Sequence, residues 1–367
     1  MAAPPAPLDP TPGSPAARGF RRRAEWDRHA CTWLVWPHCQ DTWPGVDLAE
    51  AVAPAYVAMI DALRAGETVR VVVQSPDHAE AVRARLAAAG IDSAVEGGPA
   101  GDRPAPPVRL HVQPTDDEWV RDFGALVVAD GAGRRLATDW RFNAWGGKYP
   151  RTERNNTVPE LMAAVHGLER VAFDAVLEGG SVDVNGAGLA LTTESCLLNP
   201  NRNPGLGWAE VERLLLDGLG VAETVWLGDG IAGDDTDGHV DDFARFVGER
   251  VVVVAQEPDP ADPNHEPLAE AAARLRAWRG RDGRGLDVVD LPMPPALFHD
   301  GERLPASYAN VLIANAAVLM PSFGAPEDDA AAAIFERLTG RPVARVPSAE
   351  LVWGLGACHC LSQDVPA

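Results

Sequence analysis

The sequence predicts an α/β domain built from repeated ββαβ units. Segments with the alternating pattern of strands occur in pairs, several of them joined by short glycine-containing turns, and most pairs precede a helical segment and a further strand. This order recurs about five times, at a spacing of roughly 60 to 75 residues. No linker rich in Pro, Gly or Ser separates the repeats, so the 367 residues predict one domain rather than two in tandem.

The elements follow from local patterns taken in order along the chain. Pro37 ends the first strand, the segment 75–77 begins the second helix, and glycine-rich turns at 130–133 and 186–188 join two of the strand pairs. The predicted strands are 29–37, 68–73, 108–113, 124–129, 135–140, 182–185, 189–193, 223–227, 243–247, 250–255, 286–291, 307–313, 317–321 and 342–346. The predicted helices are 51–65, 80–89, 156–166, 209–216, 268–279 and 327–338.

Acidic residues outnumber basic ones, and the net charge at pH 7 is −21. A surface this negative repels phosphate backbones, so no nucleic-acid partner is expected, whereas a small cationic substrate would be drawn inward. No apolar run approaches the ~18 residues needed to span a bilayer, so no membrane partner is expected either. Lysine occurs once, as Lys148, and the chain otherwise uses arginine in place of lysine. A lysine retained against this bias suggests a position that needs a compact ammonium group rather than a guanidinium.

Five cysteines form an odd set in a long chain, which argues against a disulfide framework and favours a reducing, cytoplasmic location. Residues 1–23 begin with an Ala/Pro-rich stretch that has neither a basic start nor a continuous apolar run. This composition predicts a disordered leader rather than a secretory signal. Residues 24–367 are then expected to form a single catalytic domain.

Four segments of unusual composition lie next to predicted strand ends, where sites on sheet folds are usually built. They are residues 116–124 (DDEWVRDFG), 177–181 (LEGGS), 228–242 (GDGIAGDDTDGHVDD) and 358–360 (CHC). Each also has a purely structural explanation, as a buried thiol, a packed histidine, an ion pair or a tight turn.

Together these segments supply the groups needed to modify a guanidinium. This cation is planar and permanently charged, and two carboxylates such as Asp122 and Asp241 can each clamp one of its edges. Cys360 could attack the central carbon while His239 protonates the leaving nitrogen. Because Asp241 comes two residues after His239, both would face the same side of an extended strand. This chemistry requires no metal.

Other motif interpretations fail on spacing. An EF-hand with Gly238 at its sixth position would begin at Gly233 and end at Ala244, where a carboxylate and a glutamate are required. The two cysteines at 358 and 360 have no matching second pair for zinc. The segment 354–356 lacks the third glycine and the following helix of a dinucleotide-binding turn.

Taken together, the clusters resemble those of the agmatine deiminases, within the bacterial-type peptidyl-arginine deiminase family of guanidino-modifying enzymes. The matching segments keep the family's order over nearly the whole chain: 24–26 (AEW) with 33–37 (WLVWP), 119–124 (WVRDFG), 142–149 (FNAWGGKY), 178–181 (EGGS), 197–203 (LLNPNRN), 235–241 (DTDGHVD), 307–310 (SYAN) and 356–363 (GACHCLSQ).

The resemblance implies a five-bladed, pseudo-symmetric α/β propeller of ββαβ units and a cofactor-free enzyme that is often a homodimer. It implies that Cys360 is the nucleophile, that Asp122 and Asp241 hold the guanidinium, and that His239 acts first as acid and then as base. Agmatine would yield N-carbamoylputrescine and ammonia through a thiouronium intermediate. Further substrate-site positions carried over are Trp119, Glu178, Lys148, Asp237 and Gly356.

The chain departs from the family pattern at several positions. The usual triple glycine before the nucleophile is 354–356 (GLG), the usual isoleucine before the histidine is Cys358, and Asp183 replaces a common histidine. Arg151 and Arg154 occupy a stretch expected to be acidic or aromatic, and they would suit a carboxylate-bearing substrate unless both face solvent.

Alternatives to agmatine therefore remain open for the substrate. They are arginine, a peptidyl-arginine or a specialised guanidino metabolite. Two alternatives to hydrolysis also remain: an amidinotransferase on the same fold, and a non-catalytic protein that binds guanidinium compounds or polyamines.

Overall fold

The computed structural model describes residues 8–96 and 107–367, which form a mixed α/β fold. The α-helices in these ranges are α1 (Ala53–Leu63), α2 (Pro76–Ala88), α3 (Val120–Phe123), α4 (Ala144–Gly147), α5 (Val158–His166), α6 (Glu194–Leu197), α7 (Trp208–Leu219), α8 (His265–Ala277) and α9 (Glu327–Thr339).

The strands in the same ranges are β1 (Arg21–Arg22), β2 (His29–Val35), β3 (Thr68–Val73), β4 (Ser93–Val95), β5 (Val108–Val112), β6 (Leu126–Ala129), β7 (Arg135–Arg141), β8 (Glu169–Val176), β9 (Val182–Val184), β10 (Leu189–Thr193), β11 (Glu223–Leu227), β12 (Ala244–Gly248), β13 (Val251–Gln256), β14 (Asp287–Pro292), β15 (Phe298–His299), β16 (Glu302–Arg303), β17 (Leu312–Ile313), β18 (Val318–Ser322), β19 (Val343–Pro347) and β20 (Ser362–Pro366). The predictions for β3, β10 and β11 are confirmed residue for residue.

Five sheets in the described ranges share one order of elements. In each, two antiparallel strands are followed by a third strand that runs parallel to the second, and an α-helix lies in the chain between the second and third strands. The strand sets are β6-β7-β8, β9-β10-β11, β12-β13-β14, β17-β18-β19 and β20-β2-β3. The predicted recurrence of ββαβ units is therefore present in the structure.

The last of these sheets is assembled from distant parts of the chain. Strand β20 pairs antiparallel with β2, with Pro366 opposite His29 and Ser362 opposite Leu34. The sequence analysis predicted no strand at 362–366, because Ser, Gln and Asp occupy positions where a buried strand usually has apolar residues. All residues of β20 are nevertheless buried, and the carboxylate of Asp364 is ion-paired with Arg22.

The ordered part of the chain begins before residue 24. Strand β1 pairs with β6, Phe20 and Arg22 are buried, and Arg22 Nη1 donates to the Val127 carbonyl at 3.0 Å. Residues 8–23 therefore differ from the leader predicted from composition, and residues 1–7 lie outside the described ranges. The difference arises because the partner of Arg22, Asp364, is distant in sequence and leaves no local signal.

Replacing Arg22 with leucine is expected to lower the free energy of unfolding by about 3 kcal/mol, because the buried Asp364 carboxylate loses its nearest ion-pair partner. The measurement is urea denaturation beside Arg18→Leu, which removes a partly exposed pair with Glu169 and should cost less than about 1 kcal/mol. Equal, small effects from both substitutions would place residue 22 outside the cooperatively folded domain.

Two local predictions near the site are wrong. Residues 307–311 form a loop rather than most of a strand, and only Leu312–Ile313 pairs with β18. Residues Val240–Asp242 form a 3-10 turn rather than the extended strand expected between His239 and Asp241. In the loop, Asn310 uses its side chain to contact Asp242 and Cys360, and these long-range contacts replace strand pairing there.

Across residues 8–96 and 107–367, no helix combines the length and the apolar character needed to cross a bilayer.

Candidate active site

Each of the five ββαβ units carries a polar segment directly before its first strand. These segments contain Asp122 before β6, Glu178 and Gly180 before β9, His239, Asp241 and Asp242 before β12, Asn310 before β17, and Cys360 before β20. Side-chain contacts bring the five segments to one buried site. Residues spread over much of the chain can therefore meet because they occupy equivalent positions in a repeated unit.

Cys360 lies at the centre of this site, with 7% of its surface exposed. Its Sγ accepts a hydrogen bond from Asn310 Nδ2 at 2.9 Å and lies 3.8 Å from Asp241 Oδ2 and 4.0 Å from Asp242 Oδ1. Burial raises the pKa of the thiol well above its usual value, and the nearby carboxylates raise it further. A cation bound among these carboxylates would offset their charge and favour the thiolate.

Asp122 and Asp241 both border the space beside Gly180. Asp122 accepts hydrogen bonds from Trp145 Nε1 at 2.9 Å and from the Gly180 backbone N–H at 3.0 Å. In Asp241, Oδ2 is 2.5 Å from His359 Nδ1, while Oδ1 is buried and has no hydrogen-bond partner. A buried carboxylate oxygen without a partner is costly, so Asp241 Oδ1 is a strong candidate to receive a substrate N–H group.

The ring of His239 faces both carboxylates through Nδ1, which is 3.8 Å from Asp122 Oδ1 and 4.0 Å from Asp241 Oδ1. The two side chains thus converge although the 3-10 turn, not an extended strand, separates them. Burial lowers the pKa of His239, but Asp122, Cys196 and Asp241 outweigh it and raise that pKa well above its usual value. His239 is therefore positioned and charged to donate a proton into the space between the carboxylates.

Gly180 keeps this space open. A Cβ atom at position 180 would lie 2.6 Å from His239 Nδ1 and 3.0 Å from carboxylate oxygens of both Asp122 and Asp241. No side chain fits at that distance without moving all three catalytic candidates. Glycine is required here for space rather than for its backbone conformation.

The substitution Gly180→Ala is expected to lower kcat/KM by about 100-fold, since misplacing reacting groups by about 1 Å has effects of that size. The measurement is steady-state turnover of the best guanidino substrate. Gly131→Ala is the matched control, because a Cβ there meets nothing within 4 Å. Full activity in Gly180→Ala would show that these groups tolerate displacement and would contradict the assigned geometry.

The acidity of Asp122 predicts how activity depends on pH. Burial raises the pKa of Asp122 to about 6, with Asp241 and Glu178 adding to the effect and His239 opposing it. Below that pH the carboxyl group is neutral and loses its attraction for a cation. We expect kcat/KM to fall about ten-fold per pH unit below about pH 6, in a profile of the free enzyme from pH 5 to 9. A profile that stays flat to pH 5, with the protein still folded, would contradict this assignment.

Trp119 and Gly356 lie beside the predicted nucleophile. A Cβ atom at position 356 would lie 2.5 Å from the Trp119 ring and 3.1 Å from Cys360 Cβ. The Trp119 ring also packs on Trp43, with 5.6 Å between ring centroids. The wall next to Cys360 is thus an indole face that requires glycine at position 356, although Leu355 interrupts the family's glycine run.

Glu178 lies next to Cys196 and His239. Its Oε1 accepts from Arg202 Nε at 2.7 Å, its Oε2 is buried without a hydrogen-bond partner, and its carboxylate lies within 4.8 Å of both Cys196 Sγ and a ring nitrogen of His239. This position suits the supporting role that the resemblance implied.

Lys148 and Asp237 form a partly exposed ion pair with each other. Lys148 Nζ donates to Asp237 Oδ1 at 2.8 Å, and the other oxygen of Asp237 accepts from Asn201 at 2.9 Å and from Arg202. Although partial burial opposes it, these donors lower the pKa of Asp237 to about 2. Lys148 also contacts the backbone of Asp235, so the two residues hold the loop that precedes His239.

Some positions that depart from the family pattern have a structural explanation. Arg151 and Arg154 are both exposed, and Arg154 lies 3.8 Å from Asp116. Asp183 is buried, accepts from Arg245 Nε at 3.1 Å and from the Phe246 N–H at 2.5 Å, and contacts no part of the carboxylate pair. The two arginines therefore give no reason to expect a carboxylate-bearing substrate.

Several site residues were missed in the sequence analysis, namely Asn310, Asp242, Trp145, Gly180 and Glu25. Trp145 and Asn310 lie within matched segments, but their roles depend on contacts with Asp122 and Cys360 that no local pattern reveals. Burial, with Asp241 adding to it, raises the pKa of Asp242 well above its usual value, which distinguishes Asp242 from its neighbour Asp241.

Two buried groups in the described residues combine ligand types that could hold a metal ion. One contains Glu178, Cys196 and His239, and the other contains Asp241, Asp242 and Cys360. Both include residues of the site itself, so a metal bound there would compete with a guanidinium for the same side chains.

A family model for the Porphyromonas-type peptidyl-arginine deiminases matches residues 21–366. The chain belongs to this family. Within this family of deiminases, an agmatine deiminase of Pseudomonas aeruginosa (strain LESB58) is 37% identical over 379 residues, covering 96% of this chain and 97% of the relative. The agmatine deiminase of Ectopseudomonas mendocina (strain ymp) is also 37% identical over 380 residues, with the same coverage.

Solved agmatine deiminase structures share the fold. The Enterococcus faecalis enzyme superposes with a TM-score of 0.87 at 30% identity, covering 98% of this chain and 99% of that chain. A cysteine-to-serine variant of the C. jejuni enzyme, solved with substrate bound, superposes with a TM-score of 0.81 at 28% identity, covering 94% and 96%. The mixed α/β fold of the deiminases therefore extends over nearly the whole chain.

Proposed function

We propose that the protein hydrolyses agmatine to N-carbamoylputrescine and ammonia through a covalent thiouronium intermediate on Cys360. The observation that carries the proposal is the site itself. A thiol, a histidine and two carboxylates converge on one space that Gly180 keeps open. Relatives that match nearly the full chain and bear the name agmatine deiminase support the choice of substrate.

In the first half of the reaction, Asp122 and Asp241 bind opposite edges of the guanidinium through charge-assisted hydrogen bonds. The bound cation offsets the carboxylate charges that raise the thiol pKa, and Cys360 releases its proton to solvent. The Sγ atom then forms a bond to the guanidinium carbon. His239 gives its Nδ1 proton to one amino nitrogen, the C–N bond breaks, and ammonia leaves.

In the second half, water loses a proton to His239 Nδ1 as its oxygen attacks the thiouronium carbon. The C–S bond breaks, the electron pair returns to sulfur, and the hydroxyl proton passes to the thiolate as the ureido carbonyl forms. Cys360 is thereby restored as the thiol, and the proton it released to solvent in the first half is available to the departed ammonia. The sum is agmatine plus water giving N-carbamoylputrescine plus ammonia, with the enzyme regenerated. Every step uses side chains of this chain, and none uses a metal or cofactor.

We further propose that the five ββαβ units surround a common axis as a five-bladed propeller, within a single catalytic domain. The support is that equivalent segments of all five units, each placed before a first strand, meet at one site. A homodimer and a cytoplasmic location remain predictions, and light scattering of the purified protein would test the first.

A second candidate substrate is a peptidyl-arginine, because the matched family model carries that name. A peptide must present its arginine to a thiol that is only 7% exposed, which favours a small free compound such as agmatine. The negative net charge of −21 also favours agmatine, which is doubly cationic.

The test measures ureido-product formation from agmatine, free arginine and a blocked arginyl peptide, with Cys360→Ala as the inactive control. Turnover of agmatine above the other two supports the proposal. Preference for arginine or the peptide would transfer the same chemistry to that substrate. Release of the amidino group to an added amine, without ammonia, would instead indicate an amidinotransferase, and binding without turnover would indicate a non-catalytic protein.

A further inference from the structure

We propose that His359 is a positioning residue that bridges Asp241 and Glu25 as a doubly protonated imidazolium and holds Asp241 in its guanidinium-binding orientation. The inference rests on the proposed function, because it takes Asp241 as one of the two carboxylates that bind the guanidinium. These two carboxylates, Asp122 and Asp241, are called the clamp below. The inference gives a role to the histidine next to Cys360, which the catalytic steps leave unused.

The protonation of His359 follows from its hydrogen-bond partners. Its Nδ1 lies 2.5 Å from Asp241 Oδ2, and its Nε2 lies 2.8 Å from Glu25 Oε2. Ionised carboxylates accept hydrogen bonds but cannot donate them, so both ring nitrogens must carry hydrogens. The ring is 2% exposed, so both contacts are buried.

Both carboxylates have reason to be ionised. Burial alone would raise the pKa of Glu25, but Arg245, His359 and Arg121 hold it well below its usual value. Burial would likewise raise the pKa of Asp241, but His359, His239 and Arg245 hold it low. The charged groups around His359 therefore alternate in sign, which stabilises each of them in a buried setting.

The far side of Glu25 is also fixed. Its Oε1 accepts from Arg245 Nη2 at 2.9 Å and from the Ile313 N–H at 2.8 Å, so the carboxylate cannot turn away from His359. Arg245 is itself paired with Asp183. His359 thus extends from a rigid anion on one side to the clamp carboxylate on the other.

This anchoring determines which oxygen of Asp241 is available. Because His359 occupies Oδ2, the unpartnered Oδ1 is left facing His239 Nδ1 at 4.0 Å, in the space assigned to the guanidinium. Without His359, Asp241 would be free to rotate and would lose a neighbouring positive charge that keeps it ionised.

The nucleophile is tied to the same bridge. The side-chain oxygen of Asn310 accepts from the His359 N–H at 3.0 Å, and its amide nitrogen donates to Cys360 Sγ at 2.9 Å. One asparagine therefore fixes both the backbone at His359 and the thiol of the next residue. His359, which contacts Asp241, is adjacent in sequence to Cys360. The position of Asp241 relative to the Cys360 thiol is therefore fixed.

The experiment is a double-mutant cycle on kcat/KM for agmatine with His359→Gln, Asp241→Asn and the double variant. Glutamine remains polar, but its single amide group cannot donate to two carboxylates on opposite sides, as the two ring nitrogens of histidine do. We expect His359→Gln to lower kcat/KM by about 100-fold. If His359 acts through Asp241, the double variant should be no worse than Asp241→Asn alone. Losses that multiply would overturn the proposal.

His29→Gln is the matched control. His29 is equally buried and bonded, with Nε2 2.6 Å from the Glu25 carbonyl and Nδ1 3.2 Å from Glu67, but it touches neither clamp carboxylate. We expect it to lower stability to urea about as much as His359→Gln while changing kcat/KM less than about three-fold. A similar loss of activity from both substitutions would mean that His359 affects activity only by stabilising the fold, which would contradict its role in positioning Asp241.

A second readout does not depend on the substrate. In histidine-labelled protein, the nitrogen spectrum at neutral pH should show hydrogens on both ring nitrogens of His359, assigned by their absence in His359→Gln. A single protonated nitrogen would overturn the proposal whatever the protein hydrolyses. If both nitrogens carried hydrogens but agmatine were not turned over, the proposed function would be wrong while the contact of His359 with Asp241 and Glu25 would be supported. The double-mutant cycle would then be repeated with the guanidino compound that the protein does convert.

Discussion

Replacing Cys360 with serine is expected to lower kcat for agmatine by about 10⁴-fold or more, a loss typical of removing a nucleophile. Serine has nearly the same shape, so the burial of the side chain and its contact with Asn310 are retained. Its hydroxyl is far harder to ionise than a thiol, and burial already raises the pKa of the Cys360 thiol well above its usual value. Substrate binding should survive, because the two carboxylates proposed to hold the guanidinium, Asp122 and Asp241, are untouched.

The measurement combines ureido-product formation with the rise in melting temperature caused by agmatine. Cys358→Ala is the matched control, because Cys358 is fully buried two residues away and burial alone raises its pKa. That variant should keep kcat within about three-fold. Turnover by Cys360→Ser above about 1% of the original rate would exclude Cys360 as the covalent nucleophile.

The substitution Asp241→Asn is expected to lower kcat/KM by about 10³-fold. It removes one of the two charges proposed to hold the guanidinium, and the loss of a buried, hydrogen-bonded charge pair is worth several kcal/mol. Part of the effect should appear as a higher KM, because the substrate is a cation in its ground state. The rest should appear in kcat, because His239 loses a carboxylate that helps to keep it protonated.

Asp242→Asn provides an internal comparison. Asp242 is adjacent and equally buried, but burial, with Asp241 adding to it, raises its pKa well above the usual range, whereas the pKa of Asp241 is held low. Because the neutral form of Asp242 is favoured, exchanging it for a neutral amide should alter less charge, and the loss in kcat/KM should be at least ten-fold smaller than for Asp241→Asn. Equal losses would mean that Asp242 is ionised and shares the clamp.

The fold could largely be predicted because most elements of its repeated unit show recognisable patterns within short sequence segments. Apolar alternation, glycine turns and helical spacing locate β3, β10, β11 and most other elements from short segments. Strand β20 could not be found in this way, because its buried Asp364 is balanced by Arg22 and Arg121, distant in sequence. The start of the ordered domain was misplaced for the same reason.

The site shows the same division between local and long-range information. Cys360, His239, Asp122 and Asp241 stand out because their residue types suit one reaction, and the structure places them around one space. The residues that orient them could not be recognised, because their roles exist only in the fold. Asn310 reaches Cys360 from a loop mistaken for a strand, and Glu25 meets His359 across 334 residues of sequence.

The pairing of β20 with β2 has a consequence for how activity is acquired during folding. Chain closure over more than 300 residues is entropically slow, and folds dominated by such contacts form late. The other four ββαβ units contain their strands in continuous stretches and can form before it. A refolding molecule would then hold four of the five polar segments in place while still lacking its thiol. During refolding, recovery of deiminase activity should therefore lag behind recovery of the circular-dichroism signals of helix and strand. The length of this delay would measure how slowly β20 pairs with β2.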